Sequence, residues 1–265
     1  MDMPINGFKR DIASQRVAYG TWLSGASPAN AEALGGAGYD FLVVDMEHSP
    51  IDFPDMQEIL RAIAGTPASP VTRVPWNDMV MVKRALDAGA QTLMVPLVQN
   101  ADEAKRAVSY TRYPPDGVRG VAGTHRASRF GMVQDYARRA AAELCLIVQI
   151  ETAQALTHLA EIAAVDGVDS IFIGPADLAA SMGHLGNIMH PDVQQKVEYA
   201  ARTCRDLRKP CGCLGGNPDM VKRFRGYGYS WLAMGSDMGM MVSRAQEWLA
   251  AIDRAPPPAK STDPY

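Results

Sequence analysis

Short apolar runs alternate with longer segments of helical period along the whole chain. The runs Val17–Ser24, Phe41–Glu47, Val71–Trp76, Thr92–Val98, Leu144–Thr152, Ser170–Asp177, Cys211–Gly216 and Trp231–Asp237 have the composition of buried strands. Between them Pro54–Ala64, Met79–Ala88, Ala101–Thr111, Ala153–Ala164, Pro191–Leu207, Pro218–Gly226 and Met238–Ala251 predict helices. Asp78, Asn100 and Asn217 stand where N-caps belong, because a short side-chain oxygen can accept from the free N–H groups of a first turn. Gly38, Gly89, Gly167 and Gly228 fall in the helix-to-strand turns, where a C-terminal glycine closes a helix. Eight strands in βα alternation predict an α/β fold, one (β/α)8 TIM barrel over residues 1–252. Residues 253–265 form a Pro-rich tail without apolar pattern, expected to be disordered or draped over the surface.

The run Phe41-Leu42-Val43-Val44 stops abruptly in Asp45-Met46-Glu47-His48 and a Ser49-Pro50 turn. Packing gives an apolar strand no reason to end in three titratable groups. A parallel α/β protein does so where its strand C-termini open onto a site. Other strand ends repeat the feature, with Arg73 on the third and Gln149 and Glu151 on the fifth. Gly174-Pro175-Ala176-Asp177 ends the sixth, Gly215-Gly216 the seventh and Gly235-Ser236-Asp237 the eighth. Alternation puts Gln149 and Glu151 on one face of their strand. Glu151 and Asp177 suit a hard divalent ion bound through oxygen, His48 a base, and Arg73 a clamp for a carboxylate or phosphate. Trp22 and Leu214, near the ends of the first and seventh strands, complete the candidate substrate contacts. The plainer readings are that Glu151 and Asp177 cap the following helices and that Arg73 pairs structurally with Asp45. So many charges converging on one mouth favour a site. His125, His158, His184 and His190 read as surface or loop histidines.

Composition narrows the chemistry. In 265 residues a formal net charge of −3 makes no electrostatic case for nucleic acid, and no apolar run is long enough to span a bilayer. The N-terminus lacks the basic and apolar regions of a signal peptide, and four cysteines do not make a disulfide scaffold. A reduced, cytoplasmic protein is expected. Cys145 reads as a small buried hydrophobe, and Cys211 and Cys213 as pointing to opposite faces of a strand, against a shared zinc. No lysine ends a strand, so an imine has no amine to form from, and carbonyl chemistry here needs a metal. Tyr113 to Arg129, with Arg119, His125, Arg126 and Arg129, is a long interruption of the rhythm and therefore a functional-loop candidate.

Six blocks occur in order: Val44-Asp45-Met46-Glu47-His48-Ser49-Pro50, Val71-Thr72-Arg73-Val74-Pro75, Gly89 to Pro96, Arg112 to Gly120, Val148-Gln149-Ile150-Glu151, and Ile171 to Leu178. Together, over roughly residues 5–252, they make the chain resemble the HpcH/HpaI family of metal-dependent class II aldolases. The resemblance implies Glu151 and Asp177 as ligands of Mg²⁺, Mn²⁺ or Co²⁺, and a 2-oxo acid and an aldehyde as substrates. It implies Arg73 as stabiliser of the developing enolate and His48, oriented by Asp45, as the proton-transfer group. Gln149 would support the site, and backbone N–H groups around Pro175, Ala176 and Asp177 would hold the substrate carboxylate. A hexamer built from dimers that exchange the last helix, near Met238–Ala251, is also implied. Ala122 and His184 depart from related sequences or stand near the mouth, and either could favour a polar donor such as hydroxypyruvate over pyruvate. The competing readings are a metal-dependent oxaloacetate decarboxylase and a non-catalytic oligomeric binder of 2-oxo acids. A phosphoenolpyruvate enzyme lacks a phosphate cradle in this sequence.

Overall fold

The computed structural model describes residues 1–14 and 16–252; the Pro-rich tail expected at 253–265 lies outside them. Eight strands follow one another: β1 (Ala18–Leu23), β2 (Phe41–Asp45), β3 (Ser69–Arg73), β4 (Thr92–Val95), β5 (Cys145–Ile150), β6 (Ser170–Ile173), β7 (Cys211–Gly215) and β8 (Trp231–Ser236). All pair in parallel with their sequence neighbours, and β8 returns to β1, so the sheet closes into a (β/α)8 barrel. The helices are α1 (Gly7–Ala13), α2 (Pro28–Gly36), α3 (Phe53–Ile63), α4 (Met79–Asp87), α5 (Ala101–Thr111) and α6 (Tyr136–Glu143). They continue as α7 (Ala153–Thr157), α8 (Leu159–Ala163), α9 (Pro175–Ser181), α10 (Pro191–Asp206), α11 (Pro218–Tyr227) and α12 (Asp237–Ala251).

The expected caps form: Asp78, Asn100 and Asn217 each accept backbone N–H groups of the following turn. Gly38, Gly89, Gly167 and Gly228 take φ of +103°, +104°, +92° and +107°, a region that side chains with a Cβ rarely enter. The strands are shorter than their apolar runs. β6 stops at Ile173 because Pro175 is already the first residue of α9. The predicted helix Ala153–Ala164 divides at His158. Helix α1 is too short to show a period, and the Ala/Gly composition of α2 shows no apolar stripe, so neither is visible in the pattern.

Parity decides what fills the barrel. Phe41, Val43, Val71, Met94, Cys145, Ile147, Phe172, Trp231 and Ala233 form the interior cluster, while Leu42, Val44, Leu93, Leu146, Val148, Ile171 and Leu232 face the helices. Helix α1 closes the N-terminal end with Phe8, whose ring meets Phe41 and Trp231 edge-on, each at 5.3 Å. Gly212 makes room for that layer, since a Cβ there would lie 2.2 Å from the Trp231 ring. Because Gly212 faces inward, Cys211 and Cys213 both face outward, into the layer that holds Cys204. The two cysteines share a face, as residues two apart in a strand must, and do not point to opposite faces as expected above.

The long connection after α5 lies at the closed end of its own barrel. Arg119, fully buried, pairs with Asp87 at 2.7 Å and stacks over the Tyr113 ring at 4.5 Å. Arg126 donates to the carbonyl of Ala88 at 3.0 Å, just before the N-terminal end of β4. His125 lies in this loop, as expected, and packs edge-on against Tyr136 with its side chain 7% exposed. Burial lowers its pKa, against the pull of Asp87.

At the other end, Asp237 ties β8 to β1 and α2. It accepts from the backbone of Ser24 at 2.9 Å, Gly25 at 3.2 Å and Met238 at 2.8 Å, and from the Asn30 amide at 3.1 Å. Burial pushes its pKa up, but the bonds from Ser24, Asn30 and Met238 outweigh it and hold the carboxyl below its ordinary value. A depressed carboxyl adds stability above its unfolded pKa and loses it as pH falls through the folded one. Asp237→Asn should therefore cost about 1–3 kcal/mol in urea unfolding at pH 7, and the difference should narrow below about pH 4. A pH-independent difference would show that the charge contributes nothing.

Candidate active site

The inward parity of the strands continues past the apolar layer. On β2 it runs Phe41, Val43, Asp45 and on to Glu47; on β3 it runs Val71, Arg73; on β5 it runs Cys145, Ile147, Gln149 and on to Glu151. Period-two alternation thus delivers apolar groups below and polar groups above. Of these, Asp45, Arg73, Gln149 and Glu151 line a cavity of about 600 Å³ at the C-terminal end of the barrel. Asp45, His48, Arg73, Gln149, Glu151, Pro175, Ala176, Asp177, Trp22 and Leu214 all stand in its wall. Ser24, Ile188, Met240 and Ser243 join them, although nothing in the pattern singled them out.

Arg73 is the most constrained side chain of the group. Its Nε and Nη2 donate to Asp45 Oδ1 and Oδ2 at 2.9 and 2.7 Å, and its Nη1 stands 2.9 Å from Glu47 Oε2. The guanidinium lies over the Trp22 ring at 4.2 Å. Such a two-pronged pair fixes direction as well as charge. The pairing of Arg73 with Asp45 offered as the plainer reading is therefore real, and it holds the guanidinium in the cavity wall. Asp45 does not orient the His48 ring. Its Oδ1 accepts the backbone N–H groups of Glu47 at 3.0 Å and His48 at 3.3 Å, fixing the turn that carries them. The His48 ring, 65% exposed, has Glu47 Oε1 as its acidic neighbour, 3.7 Å from Nε2.

Glu151 is no helix cap, since Thr152 caps α7 by accepting from Ala155. Its Oε2 accepts from the Leu97 backbone at 2.9 Å and its Oε1 from Gln149 Nε2 at 2.6 Å. Gly174 lets this carboxylate sit against the end of β6, because a Cβ there would lie 2.5 Å from Glu151 Oε1. Asp177 stands exposed in the first turn of α9, whose N-cap Gly174 offers no side-chain bond. That leaves the first backbone N–H groups of α9 free at the cavity.

The charges do not balance. Asp45 and Glu47 share Arg73, and among the described residues Glu151 and Asp177 have no ion-pair partner. Burial pushes the Glu47 carboxyl up to about 7, with Arg73 opposing and Asp45 and Asp177 adding to the rise. Burial also pushes Glu151 up to about 7, with Glu47 and Asp177 adding and the Leu97 N–H opposing. Oε1 of Gln149 and Nε1 of Trp22 are buried without a hydrogen-bond partner. Carboxylates crowded in this way fit a divalent cation bound through oxygen. Glu47 was given no role by the sequence reading, although its parity with Asp45 was available. His184 lies outside this wall and Ala122 belongs to the loop at the opposite end of the barrel, so neither lines this cavity.

The chain is matched over residues 18–244 by the HpcH/HpaI aldolase/citrate lyase family. It is 49% identical over 252 residues to the 2-dehydro-3,6-dideoxy-6-sulfogluconate aldolase of Pseudomonas putida, covering 95% of this chain and 99% of that one. It is 48% identical over 247 residues to the 4-hydroxy-2-oxo-heptane-1,7-dioate aldolase of Klebsiella pneumoniae, covering 93% of each. A crystal structure of an HpcH/HpaI aldolase/citrate lyase family protein from Burkholderia cenocepacia superposes with a TM-score of 0.91 at 42% identity, covering 94% of this chain and 99% of that one. The chain belongs to the HpcH/HpaI aldolase/citrate lyase family, and over more than nine-tenths of its length it is a relative of enzymes named as aldolases.

A carboxyl with a raised pKa keeps its proton at a pH where a free one is ionised, and that proton must leave before a cation can bind. Mn²⁺ affinity of the metal-free protein should therefore rise with pH up to about 7, by up to about tenfold per unit for each proton expelled, and flatten above it. Calorimetry in buffers of different ionisation enthalpy counts those protons. Affinity flat between about pH 5.5 and 7 would mean that neither Glu47 nor Glu151 holds a proton there.

Proposed function

We propose that the chain is a divalent-metal-dependent class II aldolase that joins a 2-oxo acid, pyruvate or hydroxypyruvate, to an aldehyde and reverses the reaction. The observation that carries this reading is the pairing of unneutralised Glu151 and Asp177 with a fixed Arg73 in one cavity. The relatives' named substrates, a 2-dehydro acid and a 4-hydroxy-2-oxo acid, share the donor chemistry.

In this reading Glu151 and Asp177 hold Mg²⁺, Mn²⁺ or Co²⁺. Such an ion supplies positive charge that makes the enolate of a 2-oxo acid tolerable at neutral pH. The chain's own groups do the rest. The Arg73 guanidinium, already oriented by Asp45 and Trp22, stabilises negative charge on the carbonyl oxygen without reorganising. In cleavage a base takes the 4-hydroxyl proton, the bond between carbons 3 and 4 breaks, and the electron pair passes into the 2-oxo acid as its enolate. Protonation at carbon 3 then releases the 2-oxo acid beside the aldehyde. His48, at the open rim, moves these protons, with Glu47 beside its ring. The free N–H groups of Ala176 and Asp177 receive the substrate carboxylate. Gln149 holds Glu151 in place, and Trp22 and Leu214 wall off water.

We also propose a homo-oligomer, a hexamer built as a trimer of dimers that exchange α12. Of that helix only Asp237 is buried, while Met241, Val242 and Trp248 are 56%, 49% and 68% exposed. An apolar face of this kind favours cover by a second copy.

Chelator-stripped protein should release pyruvate from a 4-hydroxy-2-oxo acid only when Mg²⁺, Mn²⁺ or Co²⁺ is restored. Glu151→Ala and Asp177→Ala should each lower that rate by at least about a hundredfold. Cleavage of oxaloacetate alone would replace the aldolase reading by a decarboxylase, and metal-indifferent activity would sink both. Binding of a 2-oxo acid without turnover would leave the non-catalytic binder. Sedimentation of Met241→Asp/Val242→Asp should show smaller species than the wild type; an unchanged assembly would remove α12 from the interface.

A further inference from the structure

The same end of the barrel carries a second group of ligating side chains, outside the cavity wall. The connection from α9 to α10 begins with Gly183-His184 and ends at His190, and the two imidazoles face each other across it. Their ring centroids are 3.6 Å apart and their planes 16° from parallel. Asp192, in the first turn of α10, sets one oxygen between them. Its Oδ2 lies 3.8 Å from His184 Nε2 and 3.8 Å from His190 Nδ1. One ligating atom from each of the three residues falls within 4.8 Å of the other two.

Packing alone is a weak explanation for this arrangement. Aromatic rings prefer offset or edge-to-face contact over a near-parallel face-to-face stack. The imidazoles gain little else from it. His190 Nδ1 accepts one long bond from the Asp192 backbone at 3.3 Å, which caps α10. Two imidazole nitrogens and a carboxylate oxygen are, by contrast, a recurrent ligand set for borderline divalent ions.

We propose that His184, His190 and Asp192 form a second cation site, selective for a transition ion such as Zn²⁺ over Mg²⁺. The two sites then sort metals by donor chemistry: the all-oxygen set of Glu151 and Asp177 suits a hard ion, and the nitrogen-rich set a borderline one. Ligands about 2.0–2.1 Å from a tetrahedral Zn²⁺ lie roughly 3.3 Å from one another, and the ion lies in the plane of each imidazole, so the stacked rings must turn apart to bring both nitrogens to it and Asp192 must close its two 3.8 Å spacings. The Asp192 side chain, 67% exposed, is free to make that movement. The ion takes the Nδ1 lone pair of His190 away from the Asp192 N–H, replacing the cap of α10. It also cross-links the two ends of the connection. Ile188, between those ends, lines the catalytic cavity, so an ion bound outside the wall fixes the wall's shape.

The site is tested apart from the aldolase reading by removing the cavity carboxylates. Full-length Glu151→Ala/Asp177→Ala protein, chelator-stripped, is titrated with Zn²⁺ and Co²⁺, with Mg²⁺ as the oxygen-preferring control. The expected result is about one equivalent of Zn²⁺, visible absorption from bound Co²⁺, and no Mg²⁺. Adding His184→Ala/His190→Ala should weaken Zn²⁺ binding at least about a hundredfold, since even outer partners of a ligand contribute about 10–100-fold. Asp192→Asn keeps the backbone N–H that caps α10 and removes only the carboxylate, so its loss of Zn²⁺ separates ligation from helix damage. Thermal unfolding without metal shows that each variant is folded. Absence of Zn²⁺ from the carboxylate-free protein would overturn the proposal, as would Zn²⁺ retained unchanged by both the His pair and Asp192→Asn variants.

Discussion

Closure of eight parallel strands forces every second residue of each into a single interior, and the rest of the molecule follows from how that interior is filled. At the closed end the parity carries rings: Phe8, Phe41 and Trp231 interlock there, with Gly212 giving up its side chain to admit them. At the open end the same parity carries Asp45, Glu47, Arg73, Gln149 and Glu151. A shift of one residue in any strand would exchange its core set for its helix-facing set. The chemistry at the mouth is therefore held in register by the packing of the base.

The cost of gathering those groups is electrostatic. One guanidinium serves two carboxylates, and two more stand without a cation. Arg73 is worth more as a directional group than as a neutraliser, because Asp45, Glu47 and Trp22 hold it from three sides. Removing one member of so buried a pair would leave an uncompensated charge rather than a mere gap. Burial, with the neighbouring carboxylates adding to it, raises the proton affinity of Glu47 and Glu151, which relieves the repulsion among the crowded groups.

Much of this was legible in the sequence, and the failures have definite causes. Apolar runs gave every strand of the barrel, since parallel strands covered on both faces need no alternation to be seen. The strand ends named Asp45, Arg73, Glu151 and Asp177 because charges there have no packing role. The pattern missed α1, whose work is done by one ring rather than by a stripe. It assigned Asp45 to His48 when the carboxylate binds Arg73 instead, a choice between neighbours that only three-dimensional distance can make. It put Cys211 and Cys213 on opposite faces although the strand's own period contradicts that. It saw the loop around Arg119 as exceptional but could not tell which end of the barrel it covers. Helix-to-strand connections lie at the N-terminal end, and the Arg119–Asp87 pair pins this one there.

Gly174 has a consequence for anyone altering this protein. The atom nearest a new side chain at that position is the tip of Glu151, a movable carboxylate, rather than backbone or barrel core. A small residue placed there would push the carboxylate aside and leave the barrel as cooperative as before. Screens that select variants by melting temperature or solubility are blind to such damage. Libraries that spare every core position but leave this glycine open would therefore accumulate well-folded clones in which the Glu151 carboxylate is displaced.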